Sequence, residues 1–332
     1  MTLAPDATAL IDRYGRSKRK LRVSLTDRCN FRCPYCLPEK PQWLKKDQLL
    51  SAAERQRLLL LFVERFGISE IRLTGGEPLL STELFTTLEF LGGLRVAGLK
   101  RIALTSNASL LESKAAALRD AGLDDLNVSL DALDAQRFAE LSGGQPIAPV
   151  LAGIGAAQAA GLPLKVNTVL MRGRNEDQIL PLVAWAEAQQ VTLRFIEFMP
   201  LDSGSRWNRQ QVVTEADVLE QIGRLGAVTA MATANGPASY YRIAGHSQKI
   251  GVIPTVSRPF CGDCDRLRLT ASGELFACLF SAQGADLRST LRGGDNAQLI
   301  EMVRRCVWQK DEGYAAKPGY TERPISMHGL GG

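Results

Sequence analysis

Through its first two-thirds the chain alternates short, β-branched apolar runs with longer helical stretches, and this alternation restricts the fold more than any other feature. The runs Leu21–Leu25, Glu70–Thr74, Arg101–Thr105, Asp125–Leu130, Leu164–Leu170 and Thr192–Phe198 each predict a strand. Between them Ala52–Phe66, Thr82–Ala97, Ser113–Ala121, Val150–Ala160 and Asp177–Gln189 carry helical patterns. A repeated βα series implies parallel strands joined by crossover helices. Six units fall short of the eight of a closed barrel, so the expected class is α/β, built as a partial (β/α)6 barrel. A composition change across Thr229–Pro237 marks the start of a second region, which predicts a barrel with an N-terminal extension over residues 1–228 and a C-terminal region over 229–332.

Six of the seven cysteines fall in two triplets. Cys29, Cys33 and Cys36 form CxxxCxxC just after the first strand; Cys261 and Cys264 form CxxC, with Cys278 fourteen residues beyond. Thiolates are soft ligands suited to zinc or to iron–sulfur clusters, and short spacings let one loop wrap one centre. Neither triplet supplies the four thiolates of a closed structural site, so each reads as an open, reactive centre. A disulfide framework is the competing reading. A chain of 332 residues, 45% hydrophobic, can bury a core without cross-links. It opens Met-Thr-Leu-Ala-Pro-Asp-Ala, without a basic start followed by an apolar segment, and contains no run of eighteen apolar residues. The expectation is a cytoplasmic chain with reduced thiols and no membrane span. Cys306 is expected to be a buried helix residue acting as a small hydrophobe.

With only two histidines, His246 and His328, acid–base chemistry of the triad type is poorly supported. A formal charge of +5 suits an anionic ligand but is too mild, without an aromatic-rich binding segment, to indicate nucleic acid. The run Arg16–Lys20 reads as a solvated face rather than a basic arm.

The remaining polar signals follow strand ends, where parallel α/β barrels place their chemistry. The cysteine loop follows the first strand. Thr74-Gly75-Gly76-Glu77-Pro78 follows the second, with two glycines that let backbone approach a ligand and a carboxylate at Glu77. Thr105-Ser106-Asn107 and Ser129-Leu130-Asp131 follow the third and fourth, and the sixth carries Arg194, Glu197 and Met199. A lone Gly-Gly-Glu-Pro is weak; its recurrence with polar residues at the same place on several strands is not.

CxxxCxxC with an aromatic before its third cysteine, followed after the next strand by Gly-Gly-Glu-Pro, resembles the radical S-adenosylmethionine (SAM) superfamily. Tyr14-Gly-Arg16, the segment from Thr26 to Cys33, Arg72-Leu-Thr-Gly-Gly-Glu-Pro, Arg194-Phe-Ile-Glu-Phe-Met-Pro and the segment from Cys261 to Thr270 are similar to its GTP-cyclising branch in molybdenum cofactor biosynthesis. The resemblance runs from Tyr14 to Gly332. It implies a radical SAM barrel whose C-terminal region carries a second iron–sulfur cluster. Cys29, Cys33 and Cys36 would hold one [4Fe-4S] cluster with SAM on its open iron, and Cys261, Cys264 and Cys278 another that meets the substrate. A 5′-deoxyadenosyl radical would take the 3′ hydrogen of GTP, and ring closure onto C8 would give (8S)-3′,8-cyclo-7,8-dihydroguanosine 5′-triphosphate. The resemblance also implies SAM contacts at Tyr35, Gly76, Glu77, Ser129 and Met199. It implies GTP contacts at Arg16, Arg72, Thr105, Lys165, Arg194, Arg266, Leu267 and Arg268, and a catalytic tail ending in Gly331 and Gly332. A homodimer, a flavodoxin-like low-potential electron donor and a link to cyclic pyranopterin monophosphate synthase complete what it implies.

Three positions depart from the branch: Glu70 where lysine is common, Ser81 where arginine often follows Leu-Leu, and Ala108 where glycine usually ends the Thr-Thr-Asn-Gly turn, which is expected to alter that turn. Other readings make different demands. A peptide-modifying radical SAM enzyme would carry more cysteines in the second region and lack the Arg266/Arg268 pair. A zinc-binding interaction module would close four-ligand sites, and no fourth ligand stands beside either triplet.

Overall fold

Each apolar run marked above is a strand, with ends displaced by at most one residue. The computed structural model describes residues 9–201, 207–232, 236–313 and 327–331. After a short hairpin of β1 (Leu10–Ile11) and β2 (Ser17–Lys18) come β3 (Lys20–Ser24), β4 (Glu70–Thr74), β5 (Arg101–Ser106), β6 (Asp125–Ser129), β7 (Leu164–Leu170) and β8 (Thr192–Glu197). These six run parallel, each paired with the next in sequence. The intervening helices are α1 (Ala52–Leu60), α2 (Leu84–Gly93), α3 (Ala115–Asp120), α4 (Ala135–Ser142), α5 (Ala148–Ala159) and α6 (Ile179–Ala188). Ser51 starts α1 by accepting from the Glu54 amide in a reciprocal capping box. The expected single helix to Phe66 instead continues from α1 as a π-helical turn, Leu61–Arg65. Helix α4, which the apolar runs did not mark, is capped by Asp134 and ends at Gly143, where φ is 74°.

The C-terminal segment is woven into the same sheet. Following α7 (Glu215–Ile222), β9 (Val228–Ala230), β10 (Ser239–Ile243) and β11 (Lys249–Ile253) form an antiparallel meander whose last strand lies parallel to β8. On the opposite edge β12 (Arg266–Leu269) lies parallel to β3 and leads to β13 (Glu274–Phe276) and β14 (Ala285–Asp286), covered by α8 (Leu287–Gly293) and α9 (Asn296–Trp308). Cys306 on α9 is half-buried rather than buried, and its thiol donates to the Leu275 carbonyl.

Alternation along the strands separates two environments. Leu21, Val23, Ile71, Leu73, Ile102, Leu104, Leu126, Val128, Val166, Leu193 and Phe195 join the core beneath the helices and are fully buried. The residues between them, Arg22, Arg72, Thr105, Asn127, Asn167 and Arg194, line cavities on the other face. Parallel strands packed on both faces usually read as continuous apolar runs; these alternate because one face borders polar space.

Charge on that face is organised by Asp125. Its Oδ1 accepts from Arg72 at 2.6 Å, and its Oδ2 meets Lys165 at 2.6 Å and Arg101 at 2.8 Å. Burial alone would raise its pKa, but the Arg72 charge and hydrogen bonds from Lys165 and Arg72 outweigh it and hold the carboxyl well below the usual range. The Arg16–Lys20 run is solvated only in part: Arg19 is exposed and Ser17 and Lys20 are half-buried. Arg16 and Lys18 are buried, both ion-paired to Asp12 at 2.6 and 2.8 Å.

Asp125→Asn is expected to lower stability at pH 7 by about 2 kcal/mol, below the about 3–5 of a fully enclosed pair because the partner cations are partly solvated. A depressed carboxyl pKa contributes stability that is complete above the unfolded value, about 3.9, and is lost as pH falls through the folded one. Denaturant titrations should therefore show the wild-type advantage at pH 7 shrinking below about pH 4. Ala108, in the turn where glycine is usual, takes a left-handed backbone with φ of 61°. Ala108→Gly should shift stability by less than about 1 kcal/mol, because relief of the αL penalty is offset by the greater freedom of glycine in the unfolded chain and by loss of a fully buried methyl, measurable as a nearly unchanged denaturation midpoint.

Candidate functional site

The first cysteine loop is held against the segment after β4. The Gly76 amide donates to the Thr26 carbonyl at 2.7 Å and the Glu77 amide to the Arg28 carbonyl at 2.8 Å. A Cβ on Gly75 would stand 2.7 Å from the Thr26 carbonyl oxygen, and one on Gly76 only 2.3 Å from that of Arg28. The two glycines are thus required by loop-on-loop packing, not only by approach to a ligand. Glu77, buried, turns its carboxylate inward: Oε1 accepts from the Leu79 amide and the Ser106 hydroxyl, Oε2 from the Asn107 amide at 2.7 Å. Burial against those hydrogen bonds pushes its pKa up to about 7. Asn107 then reaches Asn30 at 2.9 Å and the Cys29 sulfur at 3.9 Å. Beside Cys36, the Tyr35 hydroxyl donates to Asp131 at 2.5 Å, and burial raises Asp131 to about 6.

The second triplet is gripped from both ends of the chain. Arg16 donates to the carbonyls of Cys261 at 2.7 Å, Glu312 at 2.5 Å and Asp311 at 2.7 Å. Lys18 donates to the Cys264 carbonyl at 2.6 Å. Glu197, read above among the polar strand-end signals, is a buried clamp instead: it accepts from the amides of Val256 and Ser257, each at 2.7 Å, and of Glu215 at 2.9 Å, fixing the segment that leads to Cys261. Gly313 packs so closely that a Cβ would lie 2.7 Å from that of Cys261.

Both triplets line one cavity of about 310 Å³. Tyr35, Gly76, Glu77, Thr105, Ser129, Arg194, Met199, Arg266 and Arg268 line it too. An adjoining opening of about 900 Å³ is lined by Arg16, Arg72 and Lys165, and shares Arg22, Asn127, Arg194 and Arg266 with the first. Leu267 falls elsewhere, its side chain fully buried in the apolar core. Gly331 accepts from Arg268 at 3.0 Å through its carbonyl, adopts φ of 74°, and lies so near Thr74 that a Cβ would meet its hydroxyl at 2.3 Å. Gly332 lies outside the described residues.

The strand-end reading passed over Arg22, Asn127, Asn167 and Lys310, which line the first cavity. Period-two counting would have found the first three, since Asn127 and Asn167 lie two residues from Ser129 and Lys165 on their strands. Arg268, Arg22 and Arg72 stand in register on β12, β3 and β4. Burial, followed by the charges of Arg268, Arg266, Arg72 and Arg194, pulls the pKa of Arg22 well below its ordinary value. Such a concentration of like charge favours a polyanion.

The thiols suit clusters. All are free of disulfides. Cys29 receives the Phe31 amide at 3.4 Å, Cys278 the Phe280 amide at 3.4 Å, and Cys264 the Lys310 ammonium at 3.4 Å. Donors aimed at sulfur are among the features that tune cluster ligands. Burial lifts the Cys29 thiol to about 11 and, with the nearby Cys29 and Asp131 charges, Cys36 to about 12, so a metal there displaces protons. Burial would also raise Cys264, but Arg266 and Lys310 bring it down to about 6. Among the described residues no three His, Cys, Asp or Glu side chains converge to hold a single ion; thiolates around a cubane each meet a different iron and need not converge.

Comparison with known proteins agrees with this geometry. The family model for the radical SAM superfamily matches residues 23–186, and that for the molybdenum cofactor synthesis C region matches 191–316. A GTP 3′,8-cyclase of Streptomyces coelicolor is 43% identical over 98% of this chain and 97% of its own length; one of Rhodopirellula baltica is 41% identical over 98% and 93%. The solved structure of Streptococcus suis SuiB bound to precursor peptide SuiA superposes with a TM-score of 0.62, covering 94% of this chain and 76% of that one. At 13% identity that likeness speaks to the fold alone. Full-length identity to the cyclases, and a second triplet facing the first across an arginine-lined cavity, set the chain apart from its merely fold-related neighbours: it belongs to the GTP 3′,8-cyclase family of radical SAM enzymes.

Proposed function

We propose that the chain converts GTP to (8S)-3′,8-cyclo-7,8-dihydroguanosine 5′-triphosphate, the first step of molybdenum cofactor biosynthesis, with residues 1–228 serving SAM and 229–332 completing the GTP site. The observation that carries this reading is the pair of thiol triplets lining one cavity that opens onto the Arg22, Arg72, Lys165 and Arg266 surface. Cys29, Cys33 and Cys36 would hold a [4Fe-4S] cluster, and Gly76, Ser129 and Met199, which line the same cavity, would contact SAM. Cys261, Cys264 and Cys278 would hold a second, whose open iron would take the guanine base. When bound, these groups supply the electron and the organic radical that open the 3′ C–H bond of the ribose. The protein's own part is positioning and exclusion. Glu77 and Asn107 lock the loop bearing Cys29, while Asp125 fixes the orientation of Arg72 and Lys165 toward the opening.

The triphosphate is the natural partner of the inward cations, because guanidinium groups pair phosphate oxygens in bidentate fashion and stay charged. Glu70 removes one expected cation from β4, but Arg101 stands opposite it in register and lines the same opening. Arg101, held by Asp125 at 2.8 Å, therefore supplies a cation on β5 beside the carboxylate on β4. Arg16 and Arg268 act less as free phosphate donors than as clamps, on the Cys261 loop and on the tail carbonyl of Gly331 respectively. A homodimer, a low-potential electron donor and delivery of product to cyclic pyranopterin monophosphate synthase belong to the same reading.

Anaerobic reconstitution should give about eight irons per chain, and reduced protein with SAM and GTP should release the 3′,8-cyclic nucleotide together with 5′-deoxyadenosine. Cys29→Ala should abolish deoxyadenosine formation; its persistence, or a product other than the cyclic nucleotide, would overturn the assignment. Arg266→Ala and Arg101→Ala should each weaken GTP binding about ten-fold or more, the loss of one charge-assisted contact, with SAM binding unchanged in equilibrium dialysis.

A further inference from the structure

Two lysines reach the Cys261–Cys264 loop, and among the described residues only Lys18 has a carboxylate partner. Lys18, fully buried, touches the Cys264 carbonyl and is neutralised by Asp12 at 2.8 Å. Lys310, 3% exposed, stands just beyond α9; its Nζ donates to the Ala277 carbonyl and lies 3.4 Å from the Cys264 sulfur. No described carboxylate stands within ion-pair distance of it. A buried ammonium without a counter-charge is costly, and the group in contact with it that can become anionic is the Cys264 thiol. In the first triplet the donors to Cys29 are neutral, the Phe31 amide and the Asn107 side chain. The two triplets thus differ in the charge of what hydrogen-bonds their sulfurs, and cluster potential follows net charge, hydrogen bonds to sulfur and exposure.

Resting on the two-cluster reading above, we propose that Lys310 is a positioning and tuning residue of the second centre: its ammonium, hydrogen-bonded to the Cys264 sulfur, raises that centre's reduction potential and favours its reduced form. Neither SAM nor GTP need touch it. The negative charge of the thiolate-ligated centre takes the place that a carboxylate partner would otherwise fill, so the occupied centre and Lys310 neutralise one another.

The test uses the full chain, reconstituted anaerobically, with Lys310→Arg, Lys310→Gln and Lys310→Met. Iron is counted in each, and the midpoint potential of each centre is read by redox titration followed by electron paramagnetic resonance, the first centre being the one whose signal changes on adding SAM. Arginine keeps the charge, glutamine keeps an N–H without it, and methionine keeps neither. The second centre's midpoint should become more negative in the order wild type, Arg, Gln, Met, while the first stays fixed. Should the methionine chain lose its second cluster, the order among wild type, Arg and Gln still decides. Eight irons with a second midpoint indifferent to the substitution, or both midpoints moving together, would overturn the role of Lys310 alone. A wild-type chain holding four irons would overturn the two-cluster reading as well.

Discussion

Placing several guanidinium and ammonium groups on the inner face of one sheet is the constraint from which most of the structure follows. Arg268, Arg22 and Arg72 are neighbours in register, with Arg194 and Lys165 nearby on the facing strands. Like charges at strand spacing repel, and desolvation makes each more expensive. The chain tolerates them through Asp125, which gathers Arg72, Arg101 and Lys165, through Asn127 and Asn167, which accept from Arg194, and through the Gly331 carbonyl facing Arg268. Burial, followed by the charges of Arg268, Arg266, Arg72 and Arg194, still pulls the pKa of Arg22 below its ordinary value. A surface left in that condition is built for a polyanionic ligand.

The same field accounts for the alternating pattern of the parallel strands. A sheet covered by helices on one face and bordering a polar cavity on the other needs apolar residues at every second position only. Gly251 belongs to this economy: a Cβ there would stand 2.7 Å from the Arg194 side chain, so the glycine on β11 gives that guanidinium its room beside the neighbouring strand.

The parallel core was legible in the sequence because its strands are short, β-branched and separated by helical periods. The cysteine triplets and Gly-Gly-Glu-Pro were legible because their spacing is local. What escaped was set by contacts between distant segments. Nothing near Glu197 announces that its carboxylate clamps the backbone around Ser257, and nothing near Lys310 announces Cys264. The Arg16–Lys20 run looked solvated since its neutralising partners, Asp12 and a set of backbone carbonyls, leave no charge pattern in the run itself. Gly75 and Gly76 read as ligand-approach glycines when their closest neighbours are the carbonyls of another loop. Ala108 shows the converse, a backbone conformation kept by its surroundings against the preference of the residue that occupies it.

The hairpin at the start of the chain reaches the Cys261 loop across 245 positions of sequence and Asp311 across 295. The sulfur donors of the first loop, and the Glu77, Asn107 and Asp131 groups that brace it, exist as soon as synthesis has passed residue 131. The other donors acquire their frame only when residues 261–312 fold back upon Arg16 and Lys18. The contacts that frame the two thiol sites therefore differ in span: those of the first lie within residues 26–131, while those of the second join residue 16 to residues as far on as 312.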